Sequence, residues 1–211
     1  AQPATGHVWF GAKHRERGPA PFTDVSYVLE TCQHCDDAPC LKAATNDAVI
    51  KRPDGIVVID PQKARGQKQI VDACPYGAVS WNEDSQTPQA WPFDAHLLDE
   101  GWRRTRGEQV CVTGALVSMK IDDAALEDKK RDGWRELRPD LGTNARVLYK
   151  GLERLETIFV AGSLETELGG VTDCLEGARV ELFCGGAVLA CATTDGFGDF
   201  KGLIERLDYL Q

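Results

Sequence analysis

Four cysteines carry the clearest chemistry in this sequence. Cys32, Cys35 and Cys40 stand in C-Q-H-C-D-D-A-P-C, and Cys74 follows 34 residues later in A-C-P-Y-G-A-V. Thiolates are soft anionic ligands, so cysteines at this spacing suit zinc or an iron–sulfur cluster. The C-P dipeptide followed by Tyr76-Gly77-Ala78 points to the cluster. In two-cluster iron–sulfur proteins one run of three cysteines holds three corners of a [4Fe–4S] cluster, and the cysteine before proline ligates the other cluster.

An internal repeat sharpens that reading. With the stretch shifted by 30 residues, Cys40 falls on Ile70, Ala44 on Cys74, and Asn46-Asp47-Ala48-Val49 on Tyr76-Gly77-Ala78-Val79. The first half keeps its triad (Cys32, Cys35, Cys40) and has Ala44 at the fourth position. The second half has Ala64, Gln67 and Ile70 at its triad positions and keeps Cys74. If each fourth cysteine serves the other half's cluster, the four survivors belong to one site and the four losses to the other. The expectation is one complete [4Fe–4S] site on Cys32, Cys35, Cys40 and Cys74, and one deleted site. Two other uses of four cysteines stand beside it. A four-thiolate zinc site uses similar half-sites, although the five-residue step from Cys35 to Cys40 and the C-P-Y-G turn are not its usual pattern. Disulfides fit C-x-x-C spacing less well than a metal or redox site does.

The elements that must position these ligands can be read around them. Val49-Ile50-Lys51 and Ile56 to Ile59 flank Pro53-Asp54-Gly55, a hairpin signal. Leu41 to Ala44 reads as a short helix, Lys63 to Ala73 carries helical spacing, and Val79-Ser80-Trp81 is a strand. Lys51, Lys63, Arg65 and Lys68 place cations near the site. Upstream, His7 to Phe10 reads as a short strand. The charged run Lys13 to Gly18, before a turn with Pro19 and Pro21, is either a solvated loop or a partner-docking surface.

Downstream, Trp91, Asp94, Cys111 and Ala115 are spaced as C-x-x-C…C-x-x-x-C with three positions replaced. Cys111 is expected as a buried remnant, and His96 as a structural histidine. Residues 122–137 read as a capped, charged helix ending before Pro139, followed by a strand at Arg146 to Tyr149. From residue 156 short strands (157–160, 178–183, 187–192) alternate with Gly169-Gly170, Gly185-Gly186 and Asp195-Gly196, as in part of an antiparallel β-sandwich. Cys174, Cys184 and Cys191 are expected there as small buried hydrophobes. The fold class expected is α+β. A bacterial ferredoxin-like iron–sulfur domain with one retained cluster site fills 1–120. A helical connector follows at 121–155, and a partial immunoglobulin-like or Greek-key β-domain at 156–211.

The bulk numbers exclude several functions. The 211 residues carry 24 basic against 33 acidic side chains, a formal −9, which argues against nucleic acid or an anionic membrane surface as the main partner. No run approaches the ~18 apolar residues of a membrane span, and no signal peptide is visible, although the chain begins Ala1-Gln2-Pro3 without methionine. No residue pattern suggests a catalytic acid, base or nucleophile, and no Gly-rich phosphate cradle is present.

The stretches R-E-R-G (15–18), C-Q-H-C-D-D-A-P-C (32–40), D-G-I-V-V-I-D-P (54–61), K-A-R-G (63–66), D-A-C-P-Y-G-A-V-S-W-N-E (72–83) and A-H-L-L-D (95–99) resemble the iron–sulfur subunits of molybdopterin enzymes of the dimethyl sulfoxide reductase class. They are most similar to the branch that holds pyrogallol–phloroglucinol transhydroxylase and resorcinol hydroxylase. E-G-A-R-V-E-L (176–182) and T-D-G-F-G-D-F-K (194–201) resemble that branch's β-domain. The chain departs from the class pattern by lacking an N-terminal cysteine group and by the replacements at 91, 94 and 115, so two further clusters should be absent. The β-domain also ends early, at Gln211. The resemblance implies a non-catalytic electron-transfer subunit with one [4Fe–4S] cluster. Its partner would be a large catalytic subunit holding molybdenum or tungsten on a molybdopterin cofactor and hydroxylating or transhydroxylating phenolic rings. The alternative is a mainly structural subunit whose cluster is a folding staple for that partner. A free-standing ferredoxin-like protein is a third reading. The expected location is cytoplasmic, or periplasmic by export together with the partner.

Overall fold

The computed structural model describes residues 8–18 and 23–204. The chain divides into two compact units, and the division does not follow chain order: residues 1–12 and 29–150 form one unit, residues 13–28 and 151–211 the other. The division falls inside the connector expected at 121–155, whose residues up to Lys150 group with the cysteine-bearing unit.

The first two strands, β1 (Gly11–Arg17) and β2 (Asp24–Glu30), pair with each other. The repeat seen in the sequence then becomes a repeat of structure. Helix α1 (Pro39–Ala43) precedes the hairpin β3 (Val49–Lys51) and β4 (Val57–Ile59). Thirty residues on, α2 (Gln69–Asp72) precedes the hairpin β5 (Ser80–Asn82) and β6 (Thr87–Gln89). Pro39 opens α1, where a missing N–H costs no helical bond. The β3–β4 turn closes as its composition predicts. Arg52 N donates to Ile56 O at 2.8 Å, Asp54 Oδ1 accepts from Ile56 N, and Gly55 takes φ +85°. A Cβ at Gly55 would also lie 2.8 Å from the Arg146 side chain. The core between the two halves is small and aliphatic: Ala38, Ala48, Val49, Val57, Ala64, Ile70 and Val79, with Cys35 among them.

The rest of this unit has little regular structure. Helices α3 (Ala95–Asp99) and α4 (Arg106–Val110) are one turn each. Helix α5 (Asp123–Arg131) is capped by Asp122, whose carboxylate accepts from Ala125 N at 2.8 Å, and it ends in Lys129, Lys130 and Arg131, which suit the negative end of the helix. It stops six residues short of the expected end at 137. Gly133, at φ +85°, terminates it. The expected strand at 146–149 is a single bridge, Arg135 to Tyr149. The expected strand at 7–10 is likewise not formed over 8–10, and His7 lies outside the described residues, as do Pro19 and Pro21.

Besides most of β1 and β2, the described residues of the second unit hold helix α6 (Glu153–Glu156) and, from residue 158 on, six strands rather than the three expected. They form three antiparallel pairs. The first and last, β7 (Ile158–Ser163) and β12 (Asp199–Ile204), pair with each other. Between them lie the hairpins β8 (Glu165–Leu168)–β9 (Val171–Cys174) and β10 (Arg179–Cys184)–β11 (Ala187–Thr193). The charged run at 13–18 is not a loop. It forms β1, where Arg15 and Arg17 donate to the carbonyls of Leu155 and Thr157 at the end of α6, and Arg17 pairs with Asp24 at 2.5 Å. Cys174, Cys184 and Cys191 are exposed, not buried. Their strands pair only two by two, so the outward faces keep apolar side chains such as Phe183 and Val188 in solvent.

Candidate metal centre

The loop between β2 and α1 carries Cys32 and Cys35, α1 carries Cys40, and Cys74 follows α2 in a turn closed by Gly77 N donating to Cys74 O at 3.1 Å. Cys35, Cys40 and Cys74 all belong to the small aliphatic core and its margin. The four thiols are close enough to act on one another electrostatically. Burial pushes the Cys32 thiol up to about 12, against a backbone hydrogen bond at His34, and Cys40, Cys74 and Cys35 each push it further. Part of Cys32 reaches the surface as a residue, yet its sulfur is densely surrounded. Burial also lifts Cys40 to about 11, with Cys74 and Cys35 adding to the rise. Burial raises Cys35 as well, opposed by a hydrogen bond from Thr143.

Such a group of thiols resists ionisation unless a cation binds among them, and metal binding is what displaces protons from buried cysteines. The donor set is four sulfurs, with no carboxylate among them. Among the described residues no three His, Cys, Asp or Glu side chains converge on a single ion. Zinc, with Zn–S of about 2.3 Å, needs such convergence. Cys35, Cys40 and Cys74 at one small core, with Cys32 on the same loop as Cys35, are the donor set a [4Fe–4S] group would take.

The loop that bears Cys32 and Cys35 is held from two sides. From β3, Lys51 Nζ donates to His34 O at 2.6 Å and Cys35 O at 3.0 Å, and pairs with Asp36 at 2.7 Å. Of the four cations singled out from the sequence, Lys51 is the one that grips the cysteine loop; Lys63, Arg65 and Lys68 are exposed. From the far end of the unit, Asp36 N donates to Asn144 O (2.9 Å), Asp37 N to Thr143 O (3.1 Å) and Arg146 N to Gln33 O (3.0 Å), while Arg146 also pairs with Asp36. Buried Gln33 donates to Thr31 O and to Tyr149 Oη, both at 2.9 Å. Thr143, Asn144, Arg146 and Tyr149 lie more than 100 residues from the loop they hold. Sequence spacing carries no signal for them.

The positions expected for the second site are packed: Ala64 and Ile70 are fully buried, and Gln67 is buried with its amide bonded to the backbone. Its Oε1 accepts from Thr45 N at 2.8 Å, and its Nε2 donates to Thr45 O at 3.1 Å and Lys63 O at 2.8 Å. The more distant replaced group is filled too. Trp91, 2% exposed, packs on Phe10 and Phe93 at ring separations of 4.5 and 4.8 Å, and His34 sets its ring against both Trp91 and Phe93. Asp94, also buried, accepts from Arg106 N at 2.8 Å. Cys111 is half-buried rather than buried, its sulfur bonded by Leu116 N and Thr113. His96 is exposed.

His34 links the two regions. Its Nδ1 accepts from Val57 N at 3.1 Å and lies 3.8 Å from Cys32 Sγ. Burial, helped by Lys51, pulls its pKa down to about 3, so the ring is neutral and its proton sits on Nε2. That Nε2 has no hydrogen-bond partner among the described residues.

Comparison with known proteins agrees with this chemistry. Residues 23–121 match the 4Fe-4S dicluster domain family. The chain is 41% identical over 200 residues to the small subunit of pyrogallol hydroxytransferase from Pelobacter acidigallici, covering 93% of this chain and 71% of that one. The chain belongs to the iron–sulfur subunits of the dimethyl sulfoxide reductase family of molybdopterin enzymes. Two other relatives in this family are a tetrathionate reductase subunit of Salmonella typhimurium (36% identity; 58% of this chain, 50% of that one) and the β subunit of dimethylsulfide dehydrogenase of Rhodovulum sulfidophilum (29%; 70% and 46%). The chain spans about half the length of these two. Iron–sulfur subunits of this family transfer electrons and assemble with a large catalytic subunit. No helix among the described residues is long and apolar enough to cross a membrane.

Proposed function

We propose that this chain holds a single [4Fe–4S] cluster on Cys32, Cys35, Cys40 and Cys74. In this reading it is the electron-transfer subunit of a molybdenum or tungsten bis-pterin enzyme acting on phenolic rings. The observation that carries the single-cluster reading is the filled second site: Gln67 spends both ends of its amide on Thr45 and Lys63 where a ligand would be needed. The phenolic substrate is supported by the relative named for pyrogallol hydroxytransfer. Assembly with a large partner is supported by a stretch of exposed apolar residues, Val110, Val112, Val117 and Met119, beside exposed Arg103, Arg104 and Arg106. The six strands described over residues 158–204, with first and last paired around two hairpins, support a partial Greek-key domain.

The test is iron, sulfide and zinc content of the anaerobically purified chain. About four iron and four sulfide per chain is the expected result for one cluster. About eight of each would restore the second site, and one zinc without sulfide would remove the redox role.

A second reading, the cluster as a folding staple, is favoured by the aromatic packing of Trp91, Phe93 and Phe10 next to His34. In this reading that packing stands in for a neighbouring cluster of a longer electron wire. Adding a phenolic substrate to the intact complex separates the two readings. A relay is reduced within one turnover, whereas a staple keeps its oxidation state throughout.

A further inference from the structure

We propose that Lys51 raises the reduction potential of the cluster by the charge it seats on the Cys32–Cys35 loop, an inference that rests on the four-cysteine reading above. Lys51 Nζ donates to His34 O at 2.6 Å and to Cys35 O at 3.0 Å. Both carbonyls belong to the loop, and the second belongs to a ligating residue itself. Lys51 pairs with Val57 across the β3–β4 hairpin, and Val57 shares the small core with Cys35. One hairpin thus holds both the ammonium and the cysteine.

What the charge does depends on how much of it survives its neighbours. Lys51 Nζ lies 2.7 Å from Asp36 Oδ1, and a carboxylate of its own would cancel it. The same oxygen, however, accepts from Arg146 Nε at 2.6 Å, so one carboxylate faces two cations. Arg146 also reaches Asp123 at 2.8 Å, but that side chain is 81% exposed. Water and salt screen a charge so placed, and a partly buried one much less. The Lys51 side chain is only 22% exposed. The balance left at the loop is positive. Lys63, Arg65 and Lys68 are exposed, so the same screening weakens their fields. Arg146 is fixed where it is. Its backbone N donates to Gln33 O at 3.0 Å, and its side chain lies against Gly55, where a Cβ would come within 2.8 Å.

Reduction moves one electron from the reductant to the cluster and makes the cluster one charge more negative. A cation close to it stabilises that state and raises the potential, net charge being one of the levers that set it. Lys51 is a positioning residue: it acts by its field, through the loop that carries the ligands.

The experiment is a redox titration of the full chain, purified anaerobically and followed by electron paramagnetic resonance, beside its iron and sulfide content. Lys51→Met keeps the stem, removes the charge and should move the midpoint to more negative potential. Lys51→Gln also removes the charge but keeps a donor for the carbonyls, and should move the midpoint the same way. Lys51→Arg keeps the charge and should hold the wild-type midpoint. Asp36→Asn removes the opposing carboxylate and should move the midpoint to more positive potential. A merely structural Lys51 predicts another pattern. Loosening the loop admits water, which favours the more charged reduced state, so Lys51→Met would move upward together with Asp36→Asn. If Lys51→Met fails to hold its cluster, the sign of the shift in Lys51→Gln decides. An upward shift on removing the Lys51 charge, or unmoved midpoints in the variants that keep the cluster, overturns this proposal alone. A wild-type chain without iron and sulfide overturns the cluster reading and the proposal with it.

Discussion

The amide of Gln67 is closed onto the backbone of Thr45, accepting its N–H at 2.8 Å and donating to its carbonyl at 3.1 Å. This pair mimics a strand pairing between the two halves of the repeat, at the place where the second half would present a ligand. The Gln67 side chain thus acts as a structural bond.

Gln67→Ala should therefore destabilise the chain by about 1–3 kcal/mol, the cost of leaving buried backbone groups unpaired, and should leave iron content unchanged. Chemical denaturation of the anaerobic protein, read beside its iron assay, checks both halves of this statement. A loss of iron in proportion to the loss of stability would mean that Gln67 belongs to the retained site.

Cys74→Ser should abolish or degrade the cluster, whereas Cys111→Ser should leave it intact. The reason is placement: Cys74 packs at the same small core as Cys35 and Cys40, and Cys111 is bonded to Thr113 and Leu116 instead. Visible absorbance and sulfide content of the two variants give the answer. An intact cluster in Cys74→Ser would break the assignment of the fourth ligand.

Lys51→Met keeps the aliphatic stem and removes the ammonium that binds His34 O, Cys35 O and Asp36. The cysteine loop then loses one of its two clamps, at a cost of about 1–3 kcal/mol for the unpaired carbonyls. The measurable result is faster bleaching of the cluster in air or chelator, severalfold against wild type. Equal bleaching rates would show that the Thr143–Arg146 side holds the loop alone.

Cys111 should be the most readily alkylated thiol of the first unit at neutral pH. Hydrogen bonds from Thr113, then Leu116 N, hold its pKa down at about 7, below the ordinary thiol value of about 8.5. A lowered pKa means more thiolate at a given pH. Its iodoacetamide rate should be half-maximal near pH 7 and move upward in Thr113→Val. Mass spectrometry across pH 5.5–9 resolves it, and a half-point above pH 8 in the wild-type chain would refute the effect of Thr113.

The cysteine pattern alone determined much of this protein. The spacing C-x-x-C-x4-C with a later C-P, and the 30-residue echo, pointed to the candidate site, to the hairpins that follow each short helix, and to Ala44, Ala64, Gln67 and Ile70 as the positions expected for a second one. These features are local, and periodicity and turn chemistry report local structure directly. Tertiary structure decided what spacing cannot carry. It brought Thr143, Arg146 and Tyr149 onto a loop more than 100 residues away. It turned the charged run at 13–18 into a strand bonded to α6, and left Cys174, Cys184 and Cys191 in solvent because their strands pair only two by two. It also ended α5 at Arg131, where a glycine outweighed a charge pattern that continued. A hydrogen bond between distant segments depends on how the chain returns on itself, and no window of neighbouring residues records that.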